Sequence, residues 1–573
     1  MATVETSPAF RRLLPPPRVG LRTWLRLLPL LSVHFAALVT LYLTEYGLFG
    51  QSVFLLAWGF LNFCWIMILR RPALAGLLSL ALVEGLIVLS QFKFSILEMT
   101  VSFFDFLIVD ADTLTFLAAI FPELRGTLII AALVIIPIIV VVWRTDRYRV
   151  PFLWATAGAL ACLAALAALA GAVPEQPWEP YQGINHVSNF ARSGVLSVSE
   201  LIEHGWLEAD PAGASAERLS VPATDRCGLK AKPPHIILLF DESSFDITAA
   251  PGIKVPPDYD RHFRSIDGSK RKLIMEATGG PSVYAEYNVL TGLSARSYGR
   301  FMFNVTRIAA GHVLRGLPLV LRRCGYKTAT LFPALGAFLS ARRFQTGTGI
   351  ERFVDLADMG TTTDLHPDSF FYDQAIRLIG SEHDGRPLFT FVYVVANHFP
   401  WSHAFRPELT PEWKPLGNDA DVDEYIRRQT MSARDYDAFR ERLRREYPND
   451  SFLIVRFGDH QPALSTRILD PGVDAQTLAR RISSYDPRYF TTYYAIDAIN
   501  FDRVNLAAAA ETIEAPNLPL VVLQSAGIPL DPSFAEQKKI FERCKGLFYS
   551  CASGAEARRF NRLLIDAGLI KGI

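Results

Sequence analysis

Charge of one sign is what the 573-residue chain lacks: 58 basic and 57 acidic side chains leave +1 at pH 7, and only 20% of residues are charged. Without such a field nothing gathers a polyanion, so nucleic acid is not expected as a partner. Cysteine is scarce, at six residues, and no repeat or low-complexity tract interrupts the C-terminal part. Apolar sequence dominates instead, at 50% of residues. At this length the balance reads as a membrane part joined to a soluble part.

The apolar residues concentrate before residue 175, in five runs near the length that crosses a bilayer as a helix: Trp24–Thr44, Ser52–Leu69, Ala73–Ser90, Leu128–Trp143 and Pro151–Val173. Four further runs after the first favour a retained span over a cleaved signal peptide. Arg11, Arg12, Arg18, Arg22 and Arg26 precede or open the first run, Arg70 and Arg71 follow the second, and Arg144, Arg147 and Arg149 follow the fourth. This alternation marks one membrane face as cytoplasmic. The loop "EYGLFGQ" on the other face has no Lys or Arg, and the loop from Phe92 to Gly126 is mainly acidic. Five spans starting inside end outside, which in a bacterial inner membrane puts the remainder in the periplasm. Within the third connection, "VSFFDFLIVDADTLTFLAAIF" is apolar but broken by aspartates. It fits either an interfacial helix beside a lipid entrance or a packed loop.

The expected organisation is a cytoplasmic N-terminus over 1–22, a five-helix transmembrane domain over 23–173, a connector with interfacial helices over 174–230, and a catalytic domain over 231–573. From "PPHIILLF" onward, apolar runs such as "KTATLF", "PLFTFVYVV", "SFLIVRFGD" and "TTYYAIDAI" alternate with helical segments. That pattern predicts an α/β domain with a central, mainly parallel sheet covered on both faces.

In such sheets chemistry collects where strands end. "HIILLF" runs into "DESSFD", "FTFVYVV" into "ANHFPW" and "FLIVRF" into "GDHQP", while "GGPSVYAEYNVLTGL" presents a serine on a glycine-proline turn. Singly, each acid could be a helix N-cap and His398 a packed histidine; together they predict a metal site. Carboxylate, imidazole and hydroxyl ligands suit Zn²⁺ or Mn²⁺, and such a cation makes a hydroxyl nucleophilic near neutral pH.

The motifs "LLFDESSFD", "GGPSVYAEYNVLTG", "ANHFPW" and "FGDHQP", in this order, resemble the lipoteichoic acid synthase-like and phosphoglycerol transferase proteins of the alkaline phosphatase and sulfatase superfamily. The five-span anchor is similar too. The resemblance implies an alkaline phosphatase-like domain in which Glu242, Ser282, Asp459 and His460 hold a divalent metal. It makes Ser282 the nucleophile and His398 a phosphate or leaving-group contact, and a candidate acid or base. "YKTATLFPALGAFLSARRF" resembles the family's substrate-binding stretch, with Arg342 or Arg343 gripping phosphate. Two positions depart from the pattern: Ser282 replaces the usual threonine, and Pro333 stands where the synthases carry a histidine that contacts glycerophosphate. Thr278 is the fallback nucleophile, and Asp241 should point away from Glu242 along an extended strand.

The implied reaction moves a phospholipid headgroup, phosphoglycerol by preference, through a phosphoserine intermediate onto an envelope glycan or lipid. The alternative is phosphoethanolamine transfer. A sulfatase or phosphodiesterase is disfavoured because no C/S-x-P-x-R spacing follows at Ser282, and an inactive membrane scaffold because every ligand is present. Of the six cysteines, Cys64 and Cys162 lie in spans; Cys227, Cys324, Cys544 and Cys551 face the oxidising side, with Cys544–Cys551 the first expected pair. A reporter fused after residue 180 is predicted to be active only outside the cytoplasm; cytoplasmic activity would overturn the topology.

Overall fold

The computed structural model describes residues 21–176, 179–213, 218–219, 227–229, 232–362 and 365–572. Arg11, Arg12 and Arg18, with most of the N-terminal stretch 1–22, lie outside them. The chain forms two compact units, one running to Asp105 and resuming over Glu123–Ser197, the other comprising Phe106–Pro122 and Val198 onward.

Among the described residues, the first unit contains five helices long and apolar enough to cross a membrane: Leu21–Thr44, Gly47–Leu69, Pro72–Leu97, Glu123–Thr145 and Phe152–Ala172. The first four extend past their apolar runs because a helix satisfies its backbone internally even where the flanking side chains are polar, whereas the fifth stops one residue inside its run at each end. Pro72 opens the third at a position that needs no amide donor, and left-handed Arg70 and Glu98 close the second and third. Glycines let neighbours approach: a Cβ on Gly158 would stand 2.6 Å from the Phe63 ring, and one on Gly59 2.9 Å from Cys162 Sγ.

The polar groups of this unit sort to two ends. At one, Arg149 donates to Leu69 O at 3.2 Å, Val150 N to Arg70 O at 3.1 Å, and Arg71 to Trp143 O, so the two described arginine clusters lie together. At the other, Asn185 N donates to Thr44 O at 3.1 Å and Thr100 N to Pro180 O at 2.8 Å. Buried Glu45 there accepts Val187 N at 2.9 Å. The arrangement is the one that arginine alternation requires.

The second unit is built on one eight-stranded sheet. Its strands are β1 (His235–Asp241), β2 (Arg271–Ile274), β3 (Lys327–Leu331), β4 (Arg352–Val354), β5 (Leu388–Val394), β6 (Phe452–Gly458), β7 (Thr491–Ile499) and β8 (Thr512–Glu514), in the order β4-β3-β5-β1-β6-β7-β2-β8. All pairings are parallel except those of β7 with β6 and β2. Every residue of β1, β5 and β6 is buried, as expected of central strands covered on both faces. Helices Asp368–Glu382 and Ala420–Glu446 cover one face: Phe371, Tyr372, Ala375, Tyr436, Phe439 and Leu443 pack on Ile237, Leu239, Val392 and Ile454. On the other, Phe240 stacks on Tyr393, their ring centres 4.5 Å apart. Each fully buried Leu or Ile contributes roughly 1.5–3 kcal/mol.

Two disulfides form, Cys544–Cys551 and Cys227–Cys324, while Cys64 and Cys162 are free. The bridges close separations of 7 and 97 residues, so chain entropy assigns them about 2 and 5 kcal/mol on a model-dependent scale. Alkylation of the denatured, unreduced protein is predicted to modify two thiols, and Cys324→Ser to destabilise the second unit more than Cys551→Ser. Four or more labelled thiols would contradict the pairing.

Candidate functional site

The site forms where β1 and β6 end side by side, Asp241 opposite Gly458. Beyond those ends, Glu242 N donates to Val394 O at 3.1 Å and Asp459 N approaches Asp241 O at 3.4 Å. Alternation turns Asp241 away from Glu242: its carboxylate receives Tyr493 OH at 2.5 Å and His262 Nε2 at 3.1 Å. Arg456 joins the same buried network through His262 O at 2.8 Å and Asp497 at 3.2 Å. Only glycine fits at 458, since a Cβ would lie 1.8 Å from Ser244 O, where the following loop crosses the end of β6. That crossing brings Ser243 N to Asp459 Oδ1 at 2.7 Å and Ser243 Oγ to Glu242 Oε1 at 2.9 Å.

The serine turn is delivered beside this pair by backbone contacts. Thr278 bridges Gln461 in parallel, and Gly279 N donates to Gln461 O at 2.8 Å. Gly279 has φ +67°, a left-handed value that favours glycine. Ser282 then opens the buried helix Val283–Thr291, but its side chain makes no capping bond. Its hydroxyl donates instead to Glu242 Oε2 at 3.1 Å and lies 3.5 Å from His460 Nε2. Thr278 Oγ1 is buried without a hydrogen-bond partner.

Among the described residues, two groups of His and carboxylate side chains have ligand atoms within 4.8 Å of one another: Glu242, Asp459 and His460, and a group missed in the sequence, His235, His383 and Asp450. Their histidine tautomers separate them. His460 Nδ1 donates to Gln461 O at 2.9 Å, which aims Nε2 at Glu242 Oε1, 3.3 Å away, and at Asp459 Oδ2, 3.2 Å away. That Asp459 oxygen is buried and accepts no hydrogen bond. In the other group His235 Nδ1 accepts the Leu388 amide at 3.1 Å, so the neutral ring carries its proton on Nε2, the atom facing Asp450 at 3.8 Å. A cation there would displace that backbone bond, whereas the Glu242, Asp459 and His460 donors fit one directly.

Electrostatics agree. Burial pushes the Asp459 carboxyl well above the usual range, and the Glu242 charge adds to this. Burial also pushes Glu242 up, but the hydrogen bond and charge of His460, with smaller help from His398 and Ser243, hold it low. Burial opposes the His460 imidazolium, yet Asp459 and Glu242 outweigh it and lift it to about 9. In the metal-free protein, protonation of this cluster thus offsets the repulsion between the buried acids.

His398 lies in the loop after β5, stacked on Phe399 with ring centres 4.4 Å apart, its Nδ1 donating to Phe399 O at 2.8 Å. Arg428, fully buried, clasps this loop by donating to His398 O and Pro400 O, both at 2.7 Å. Nothing in the sequence marked Arg428, because an arginine on a polar helix reads as solvated. Arg342 and Arg343 sit on helix Ala341–Gly347, whose Gln345 donates to Glu286 of the serine helix at 3.0 Å. Burial pushes the Glu286 carboxyl up to about 7. Neither arginine is hydrogen-bonded to the Ser282 cluster: Arg342 pairs with Asp355 at 2.7 Å and Asp358 at 3.2 Å, and Arg343 lies 3.6 Å from Asp110.

Alanine at Glu242, Asp459 or His460 is predicted to remove most bound metal from the full-length protein; unchanged stoichiometry in all three would sink the ligand assignment. Because the raised His460 must lose its proton to ligate, metal affinity should climb between pH 7 and its pKa of about 9. The sign for metal-free stability is opposite. A folded pKa above the ordinary 6.5 stabilises fully below that value and is lost as pH rises through the folded one.

The sulfatase family matches residues 273–489. No curated protein matches the chain. Similar solved structures include Streptococcus pyogenes phosphoglycerol transferase GacH in complex with sn-glycerol-1-phosphate, at 16% identity over 60% of this chain and 87% of that one, with a TM-score of 0.45. Lipoteichoic acid synthase LtaP from Listeria monocytogenes is 16% identical over 55% of this chain and 77% of that one, with a TM-score of 0.38. Lipooligosaccharide phosphoethanolamine transferase A from Neisseria meningitidis is 13% identical over 88% of this chain and 95% of that one, with a TM-score of 0.42. The architecture is thus five apolar helices joined to a mixed, largely parallel sheet domain consistent with the alkaline phosphatase and sulfatase fold.

Proposed function

We propose that the chain is a bacterial inner-membrane, metal-dependent transferase that moves a phospholipid headgroup, phosphoglycerol by preference, onto an envelope glycan or lipid through a covalent phosphoserine at Ser282. The observation that carries this reading is the Ser282 hydroxyl, uncapped at a helix start and donated to Glu242 at 3.1 Å beside Asp459 and His460. Arginine clustering at one end of the spans supports a periplasmic catalytic unit.

Ser282 Oγ attacks the donor phosphorus as its proton leaves; the bond from phosphorus to the diacylglycerol oxygen breaks, and that oxygen takes up a proton. In the second step an acceptor hydroxyl attacks the phosphoserine, loses its proton and restores the serine. His398 is the acid or base for these transfers. Zn²⁺ or Mn²⁺ held by Glu242, Ser282, Asp459 and His460 would lower the serine pKa and neutralise phosphoryl charge. Amides at the start of the serine helix favour the same phosphate. Of the two arginines Arg343 is the better phosphate ligand, since Arg342 is committed to two carboxylates.

Ser282→Ala is predicted to abolish transfer, by roughly 10³-fold or more, while leaving the fold intact; Ser282→Thr should retain part of the activity. Mass spectrometry of the Ser282 peptide should show a glycerophosphate adduct, and a phosphoethanolamine mass would select the other headgroup. Near-normal transfer by Ser282→Ala together with loss in Thr278→Ala would move the nucleophile four residues earlier.

A further inference from the structure

We propose that Phe106–Pro122 is a membrane-surface strap whose exposed apolar side chains rest in the bilayer interface on the catalytic side. The segment belongs to the same compact unit as the Ser282 cluster, although the residues on either side of it belong to the membrane unit. Its helix, Ala111–Ile120, ends three residues before Glu123, where the fourth span begins. Three residues reach at most about 11 Å, so covalent continuity alone keeps the helix end near lipid.

One side of the strap is held by protein. Asp110 Oδ1 caps the helix through Thr113 N at 2.9 Å, while its other oxygen accepts the Ser340 hydroxyl at 2.7 Å and lies 3.6 Å from Arg343. Phe116 packs on Phe338 with ring centres 5.3 Å apart. Leu114, two positions earlier, is carried about 200° around the helix onto the opposite side. It leaves 61% of its surface uncovered, with Leu107 and Val109 at 50% and 49%. A helix of this kind, apolar on the free side and tethered to a span, lies in the interface. Bilayer is within reach of every molecule without an encounter, which favours it over a second copy or a soluble partner.

The functional consequence rests on the phosphotransfer reading: the strap ties the helix bearing Arg343 to the surface that presents donor headgroups. The test uses the full-length protein in phosphatidylethanolamine–phosphatidylglycerol nanodiscs, with Cys64 and Cys162 replaced by alanine and a nitroxide at Leu107→Cys, Leu114→Cys or, as a water-exposed control, Glu412→Cys. The two strap labels should collide with oxygen more, and with a nickel chelate less, than the control, at a depth of about 5–10 Å. Equal nickel accessibility at all three positions would overturn the strap. The double variant Leu107→Asp, Leu114→Asp should lose transfer from a bilayer donor by roughly tenfold while still hydrolysing a water-soluble phosphodiester; equal loss of both activities would overturn its role. A wild-type protein without transfer would refute the donor reading and leave the label result to decide the strap.

Discussion

Parallel pairing of β1 on both sides is the constraint from which the catalytic unit follows. Because β5, β1 and β6 run the same way, the segments bearing His398, Glu242 and Asp459–His460 all leave the sheet at one edge. An antiparallel neighbour would have sent one of them to the far end. Because the three strands are buried on both faces, their register is held by side-chain packing against the helices rather than by a polar face. Gly458 then permits the loop after β1 to cross the end of β6, and this crossing, more than any side chain, sets how closely Glu242 and Asp459 approach.

Such an approach is electrostatically expensive. Two carboxylates out of water repel, and the interior offers little screening, so something positive must stand between them. His460 is oriented for this by its own neighbour's carbonyl, which leaves the other ring nitrogen facing the acids. The contrasting His235 shows how little distinguishes a ligand from a structural histidine: one backbone amide on Nδ1 reverses which nitrogen holds the proton. Beneath the site, Asp241, His262, Tyr493 and Arg456 form a hydrogen-bonded layer that anchors the strand end carrying Glu242.

Much of this was legible in the sequence because it was written in local patterns. Long apolar runs marked the spans, and continuous apolar strands ending in acid or histidine marked the central sheet. Helix ends were less legible: the third span continues from Ser90 to Leu97, since the polar side chains after Ser90 do not stop a helix and it closes only at left-handed Glu98. β2, β4 and β8, of three or four residues, are too short to show any period. Pairing of Cys227 with Cys324 across 97 residues depends on tertiary structure, whereas the neighbouring Cys544 and Cys551 could be matched by proximity. The partners of Arg342 were hidden for the same reason, since Asp355 and Asp358 meet it only after the chain turns through β4.

The brevity of the two outer strands has a further effect. A membrane confines its proteins to two dimensions, so neighbouring copies meet often and at restricted orientations. A long open sheet margin would then act as a template for strand addition from another chain. Here β4 and β8 each offer only three residues at the margins, too short a row of unpaired amides and carbonyls to seed that growth. The unit can therefore be crowded laterally without polymerising through its sheet.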